Sequence, residues 1–239
     1  MKIIFARHAE PDYAHDTITE KGKREAALLA ERLSGIDIDE IYVSPLGRAQ
    51  DTAAYTLFKI GKSAETLEWL HEFKGKVLTP KGIKSCWDRL PEQWTTKDEY
   101  YDAEKWYQTP LMRTLNVRKE YEYICRETDA FLEQHGYFRD GRLYRAERPN
   151  HKTIVLFCHF AIECAILSRI FSISPMILWH NFVALPSSVT TIVTEERRKG
   201  KAQFRCLGFG DVSHLYAGNE EPSFAARFCE CFDDDTRHD

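Results

Sequence analysis

Two short apolar runs constrain this chain more than anything else in it. Residues 2–6 read KIIFA, and residues 153–158 read TIVLFC. Neither alternates apolar with polar residues. A strand of that kind must be covered on both faces, which is the position of an inner strand in an α/β sheet. Both runs then stop on charged chemistry. The first ends in Arg7-His8 and the second in Cys158-His159, about 150 residues later.

Between these runs the spacing alternates strand and helix. Thr17 and Glu20 stand at capping-box distance, so Thr17 or Thr19 begins a helix over about 20–34, with Ala26, Ala30 and Leu33 on one face. IDEIYVS reads as a second strand. A helix over about 46–60 follows, with Ala49, Ala53, Leu57 and Ile60 aligned, and then a strand near 64–68. Residues 117–135 again show helical spacing through Val117, Tyr121, Ile124 and Phe131. GYFRDGRLYR is a hairpin around Asp140-Gly141. A helix over about 161–171 follows the second apolar run. SVTTIVTEE and AQFRCLGF add two strands joined through ERRKGK, and the last eight residues are expected to fray. The expected fold is a three-layer α/β/α sandwich with a mainly parallel central sheet, formed as a single domain over residues 1–239.

One stretch breaks the pattern. Residues 76–116 carry Trp87, Trp94, Trp106, Tyr100, Tyr101 and Tyr107 among many charges, with poor periodicity. They read as an inserted helical and aromatic cap that folds over the core as a small local cluster.

Composition narrows the function. A net charge of −4 is unlike that of a protein that neutralises many nucleic-acid phosphates. No run of 18 apolar residues is present, so no membrane span is expected. Seven scattered cysteines without an export signal fit reduced thiols and a cytoplasmic setting. Cys229-Glu230-Cys231 lacks the second pair that a metal site needs, so no metal and no cofactor are expected. The sequence carries no signal for an oligomeric state.

Ligands of open α/β sheets bind beyond the carboxyl ends of the strands. Arg7, His8 and His159 all lie at such ends. Ser44 closes the second strand, and Arg48 follows in the first turn of the next helix. Two arginines, two histidines and a helix N-terminus form a cationic pocket suited to a phosphoryl group. A neutral imidazole is the competent nucleophile near pH 7, and a nearby carboxylic acid has to protonate the leaving oxygen. Cys158 and His159 are neighbours on an extended strand and point apart, so they are not a catalytic pair. The run Arg139, Arg142, Arg145, Arg148 reads first as a solvated face.

These residues carry a resemblance. Arg7-His8-Ala9-Glu10 resembles the Arg-His-Gly-Glu signature of the histidine phosphatase superfamily, the phosphoglycerate-mutase-like family. Thr17-Ile18-Thr19-Glu20-Lys21-Gly22 is similar to its Leu-Thr-x-x-Gly helix start, and Ser44–Ala53 to its Ser-x-x-x-Arg-x-x-x-Thr-Ala block. Cys158-His159-Phe160 takes the place of its Ser-His-Gly. Pro186–Thr190 resembles a strand of its members. The resemblance implies His8 as nucleophile, Arg7, Arg48 and His159 as phosphate ligands, and Glu72, in Leu70–Gly75, as proton donor. Three departures stand out: Ala9 for Gly, a three-residue rather than four-residue gap between Glu72 and Gly75, and Pro11-Asp12-Tyr13 where mutases carry Asn. His214 resembles a late segment of some relatives, which leaves a place near the pocket open to it without making that its first reading.

The expected activity is hydrolysis of a small phosphomonoester through a phosphohistidine, without metal. A phosphomutase using the same pocket and a non-catalytic phosphate-binding protein are the alternatives. Partners other than a small phosphorylated substrate, nucleic acid and membrane included, are not expected.

Overall fold

The structure is a computed structural model and describes residues 1–233 and 236–238. In chain order the strands are β1 (Lys2–Arg7), β2 (Pro11–Asp12), β3 (Thr17–Ile18), β4 (Glu40–Val43), β5 (Glu65–Thr66), β6 (Lys76–Thr79), β7 (Gly82–Ser85), β8 (Tyr137–Asp140), β9 (Leu143–Ala146), β10 (Thr153–Cys158), β11 (Val189–Arg198) and β12 (Lys201–Asp211). The helices are α1 (Glu20–Ser34), α2 (Gly47–Ile60), α3 (Pro91–Trp94), α4 (Val117–Gln134), α5 (Phe160–Phe171), α6 (Pro175–Asn181) and α7 (Ser213–Ala217). Eight strands form one sheet in the order β5-β4-β10-β1-β11-β12-β9-β8.

The sheet is mixed rather than mainly parallel, which corrects the expectation from sequence. β5, β4, β10 and β1 pair in parallel. Every pairing from β1 through β11, β12 and β9 to β8 is antiparallel. Tight turns cause the difference. ERRKGK and Asp140-Gly141 are too short for a crossover, so the strands they join must run antiparallel. Gly141 supplies the φ of +60° that the second of these turns requires.

The apolar runs behave as their composition demands. All six residues of β10 are buried, as are all but the first of β1. Alternate side chains serve two separate cores. Ile4, Ala6, Val155 and Phe157 pack with Leu29 and Leu33 of α1 and Ala49 and Ala53 of α2. Ile3, Phe5, Ile154, Leu156 and Cys158 pack on the other side with Ile124 and Phe131 of α4 and Ala165 of α5. Helices therefore cover both faces, giving the three layers. Thr19, not Thr17, caps α1, accepting from the Gly22 amide. Thr17 lies in β3 and donates to Asp51.

Residues 76–116 differ from the expected local cluster. They contain the β6–β7 hairpin, one turn of helix and two 3₁₀ turns. Trp94, Tyr100, Trp106 and Met112 join the same buried core as β1 and α5. Trp106 sits edge-on to Trp179 of α6 at 5.4 Å and to Tyr121 of α4 at 5.0 Å. Trp179 in turn contacts Phe73 at 5.2 Å and donates its indole N–H to Ala161 in the first turn of α5. Residues 76–116 thus form a buttress behind the start of α5. The arginine run is partly structural: Arg139 holds carbonyls of Arg169 and Gly141, and Arg148 holds those of Glu133 and Gln134 at the end of α4.

The expected fraying of residues 232–239 falls partly on residues outside those described. Among the described residues, no helix is long and apolar enough to cross a membrane. No group of three or more His, Cys, Asp or Glu residues there could hold a metal ion.

Because Trp106 is fully buried in the main core, Trp106→Ala should destabilise the whole protein by about 3–5 kcal/mol. Urea denaturation followed by circular dichroism reads this as a single shifted transition. An independently folding cap would instead melt separately and leave the main transition in place.

Candidate active site

The site is assembled by strand pairing. β1 and β10 run in parallel with Arg7 opposite Cys158, so the residues that follow, His8 and His159, leave the sheet together. Their ring centroids lie 5.1 Å apart. Both histidines are buried, as are Arg7 and Arg48. The structure brings all five predicted residues, Glu72 included, to this edge of the sheet.

His8 has a defined tautomer. Its Nδ1 lies 2.7 Å from the Ala9 carbonyl, which can only accept, so Nδ1 carries the proton and Nε2 keeps its lone pair. Burial holds the His8 pKa well below the usual imidazole value, and the positive charges of Arg7 and Arg48 add to this. The backbone around it is pinned: His8 N–H bonds Cys158, Ala9 N–H bonds Thr52 Oγ1 at 2.9 Å, and Glu10 N–H bonds Glu25 Oε2 at 2.7 Å.

His159 is the residue before α5. Its Nε2 lies 2.7 Å from Ser44 Oγ, which also receives the Leu46 amide. Among the described residues the Ser44 hydroxyl proton has no other acceptor, so Nε2 accepts it and Nδ1 carries the ring proton. That Nδ1 is buried and has no partner among the described residues. Burial, then the neighbouring His8, Arg48 and Arg7, push the His159 pKa well down as well.

The arginines are tethered in a matching way. Arg7 donates Nη1–H to the Ala184 carbonyl. Arg48 donates Nη1–H to Asp16 Oδ1 at 2.5 Å. Each has a buried Nε with no partner among the described residues, so one edge of each guanidinium is held and its Nε is left unpaired there. Asp16 also accepts the Gly47 amide at the start of α2. The approach is so close that a Cβ on Gly47 would lie 2.1 Å from the Asp16 carbonyl oxygen, which is why glycine stands there. Aromatic rings back both arginines: Tyr13 under Arg48 at 5.4 Å, and Phe160 under Arg7 at 5.9 Å.

Glu72 reaches the same place from the loop after β5. Its Oε1 accepts from its neighbour Phe73 and from Ile162 in the first turn of α5, at 2.8 and 3.0 Å. The other oxygen has no partner among the described residues. Glycine stands at 75 because a Cβ there would meet the Phe73 ring at 2.5 Å and Cys86 Sγ at 2.9 Å.

Spacing alone pointed to neither Ser44 nor Asp16 as an orienting group. Their roles depend on contacts across 115 and 32 residues. Glu163 was missed too. It is fully buried on α5, its Oε1 has no partner among the described residues, and burial raises its pKa to about 8. His214 lies behind the pocket rather than in it. It contacts Ser187 Oγ at 3.2 Å, and the Ser187 amide bonds the His8 carbonyl.

Comparison with known proteins follows this geometry. The family model of the histidine phosphatase superfamily (branch 1) matches residues 3–206, and the chain belongs to that superfamily. Phosphoserine phosphatase 1 of Hydrogenobacter thermophilus is 23% identical over 211 residues, covering 83% of this chain and 89% of the relative. A 2,3-bisphosphoglycerate-dependent phosphoglycerate mutase of Thermoplasma acidophilum is 42% identical over 83 residues, 30% of this chain and 42% of the mutase. Among solved structures, a mutant phosphoserine phosphatase of Entamoeba histolytica in complex with phosphoserine aligns with a TM-score of 0.61 at 18% identity, covering 90% of this chain and 98% of that one. Mycobacterial glucosyl-3-phosphoglycerate phosphatase in complex with VO₃ aligns at 0.53 and 18%, covering 87% and 98%. At these identities the structures share the fold.

The buried acid and imidazoles pull stability in opposite directions with pH. The unfolded chain takes up protons at His8 and His159 near pH 6.5 and the folded state does not, so stability falls as pH drops below that value. Glu163 ionises near 4.5 when unfolded but near 8 when folded, so it lowers stability as pH rises between them. Glu163→Gln should therefore gain on wild type between pH 5 and pH 8, by at most about 1.4 kcal/mol per unit. Melting temperatures of the two proteins at both pH values read the difference.

Proposed function

We propose that this protein is a metal-independent phosphohydrolase that cleaves a small phosphomonoester through a phosphohistidine on His8 Nε2. One observation carries the reading. Three N–H donors, on Arg7, Arg48 and His159, are buried without partners among the described residues, beside a neutral imidazole whose Nε2 keeps its lone pair. Buried donors are seldom left unsatisfied, and an anion with several acceptor oxygens supplies what they lack. The family supports the reading, as do relatives named as phosphatases.

The chemistry follows in two displacements. His8 Nε2 attacks phosphorus, forming the N–P bond as the bond to the ester oxygen breaks. Glu72 gives that oxygen its proton. Arg7 and Arg48 use their unpaired edges on the equatorial oxygens, and His159 Nδ1–H adds a third donor where charge is spread in the transition state. Water then attacks the phosphohistidine. Glu72, now a carboxylate, accepts its proton, and the N–P bond breaks to release inorganic phosphate and neutral His8. These donors supply the charge stabilisation that phosphoryl transfer requires, so a bound metal is not needed.

A mutase reading has one observation in its favour, the local identity to a phosphoglycerate mutase. A mutase returns the phosphoryl group to its product and requires a bisphosphorylated primer. Phosphate release without primer separates the two.

A panel of phosphomonoesters assayed with chelator is the direct test. Wild type should release phosphate, His8→Ala should not, and Arg48→Ala should lose at least about 100-fold in turnover. Activity that persists in His8→Ala, or that needs added divalent metal, removes the proposal. The role of Glu72 is read separately. Glu72→Gln should slow an alkyl phosphate by about 100-fold or more, and p-nitrophenyl phosphate far less, because nitrophenolate leaves without a proton. Equal losses on both esters would assign Glu72 another role.

A further inference from the structure

Glu163 is a buried acid that the two displacements above do not use. Its place follows from strand register. Phe5 of β1 stands opposite Thr190 of β11, and one rung further along the Arg7 amide bonds the Ser188 carbonyl. Side chains two residues apart on a strand share a face, so Phe5, Arg7, Ser188 and Thr190 form one patch. It lies on the side where Phe5 shares a core with Ala161 and Ala165 of α5. Glu163 stands in the first turn of that helix, its amide bonded to the His159 carbonyl, and its carboxyl comes down on the patch. There the Thr190 hydroxyl accepts the Gly210 amide at 3.1 Å and hydrogen-bonds the carboxyl with its own proton. Glu163 Oε1 is left without a partner among the described residues.

The charged and titratable groups acting on this carboxyl are Arg7 of β1, Glu72 of the loop after β5, Cys158 of β10, Cys164 of its own helix and Cys206 of β12. Arg7 is the one cation of that set. Burial raises all three thiols above their ordinary range, so they stay protonated at neutral pH. Burial also raises Glu163 to about 8; Thr190 and Arg7 oppose the rise and Glu72 adds to it. The Glu163 carboxyl is therefore neutral below about pH 8 and charged above it. While it is neutral, Arg7 is held only by the uncharged Ala184 carbonyl, and its positive charge is available to the pocket. An ionised Glu163 would set a negative charge behind that guanidinium, where little water is present to screen it.

We propose that Glu163 is a positioning residue acting through Arg7: protonated, it leaves the guanidinium to the phosphoryl group, and ionised, it competes with that group for the guanidinium. Glu163 itself does not touch the substrate. The proposal rests on the phosphoryl-pocket reading and adds the control of that same site by one proton. Anion binding and protonation of Glu163 are then linked, and the coupling is reciprocal. Affinity for an anion falls as pH rises through about 8, and binding near that pH draws protons from solvent onto Glu163.

Sulfate is the probe, because it remains a dianion across this range and is not hydrolysed. Calorimetry in two buffers of different ionisation enthalpy reads its affinity and the proton uptake together. At pH 9 wild type should bind sulfate at least about fivefold more weakly than Glu163→Gln, while at pH 6.5 the two should agree within about twofold. At pH 8.5 wild type should take up protons on binding, and Glu163→Gln should take up fewer. Thr190→Val removes a hydrogen bond that favours the ionised carboxyl, so it should move the fall in affinity to higher pH. That shift keeps the test decisive should Glu163→Gln fail to fold, and a role in packing alone does not produce it. Parallel affinity profiles in wild type and Glu163→Gln, equal proton uptake by the two, or a fall in affinity that Thr190→Val leaves in place each overturn the proposal. No sulfate binding to wild type at any pH overturns the phosphoryl pocket and this proposal together.

Discussion

The parallel pairing of β1 with β10 sets the geometry of everything else. Six consecutive residue pairs, from Lys2 with Thr153 to Arg7 with Cys158, lock the two strands in register. A shift of one residue would turn each side chain to the opposite face. It would exchange the two cores and separate the imidazoles now 5.1 Å apart. The cores therefore hold the register, and the register holds the site. Packing on both faces stabilises by roughly 1.5–3 kcal/mol for each large side chain buried, and much of that burial depends on the same alignment.

The cost of the pocket is electrostatic. Arg7 and Arg48 are buried, and among the described residues Arg48 has a carboxylate partner, Asp16, and Arg7 has none. Burying charge without full compensation destabilises a fold. The protein limits the cost in three ways. Each Nη1 is spent on an oxygen, aromatic rings cover both guanidinium groups, and the histidines stay neutral so that no further positive charge is added. The same arrangement keeps Nε2 of His8 unprotonated.

Residues 76–116 connect to this site through aromatic contacts rather than through charged ones. Trp106, Trp179 and Phe73 form a column that ends at the loop bearing Glu72, and the indole of Trp179 ties it to the first turn of α5. Both Glu72 and His159 flank that turn. Residues 76–116 therefore support Glu72, the group that the sheet alone does not fix.

The local elements were legible in the sequence because short-range physics decides them. Apolar run length gave β1 and β10, i,i+4 spacing gave α1, α2 and α4, and the strand-end positions of Arg7, His8 and His159 pointed to the sheet edge where the fold gathers them. The antiparallel half of the sheet was misread because strand–helix alternation describes the first part of the chain and says nothing of how later hairpins join it. The union of the insertion with the main core was hidden because aromatic residues without periodicity do not name their partners. Ser44 beside His159 and Asp16 beside Arg48 came only with the fold, as did the neutral Glu163 on α5. Each depends on which distant groups surround a side chain and how much water they exclude, and only the folded chain sets those quantities.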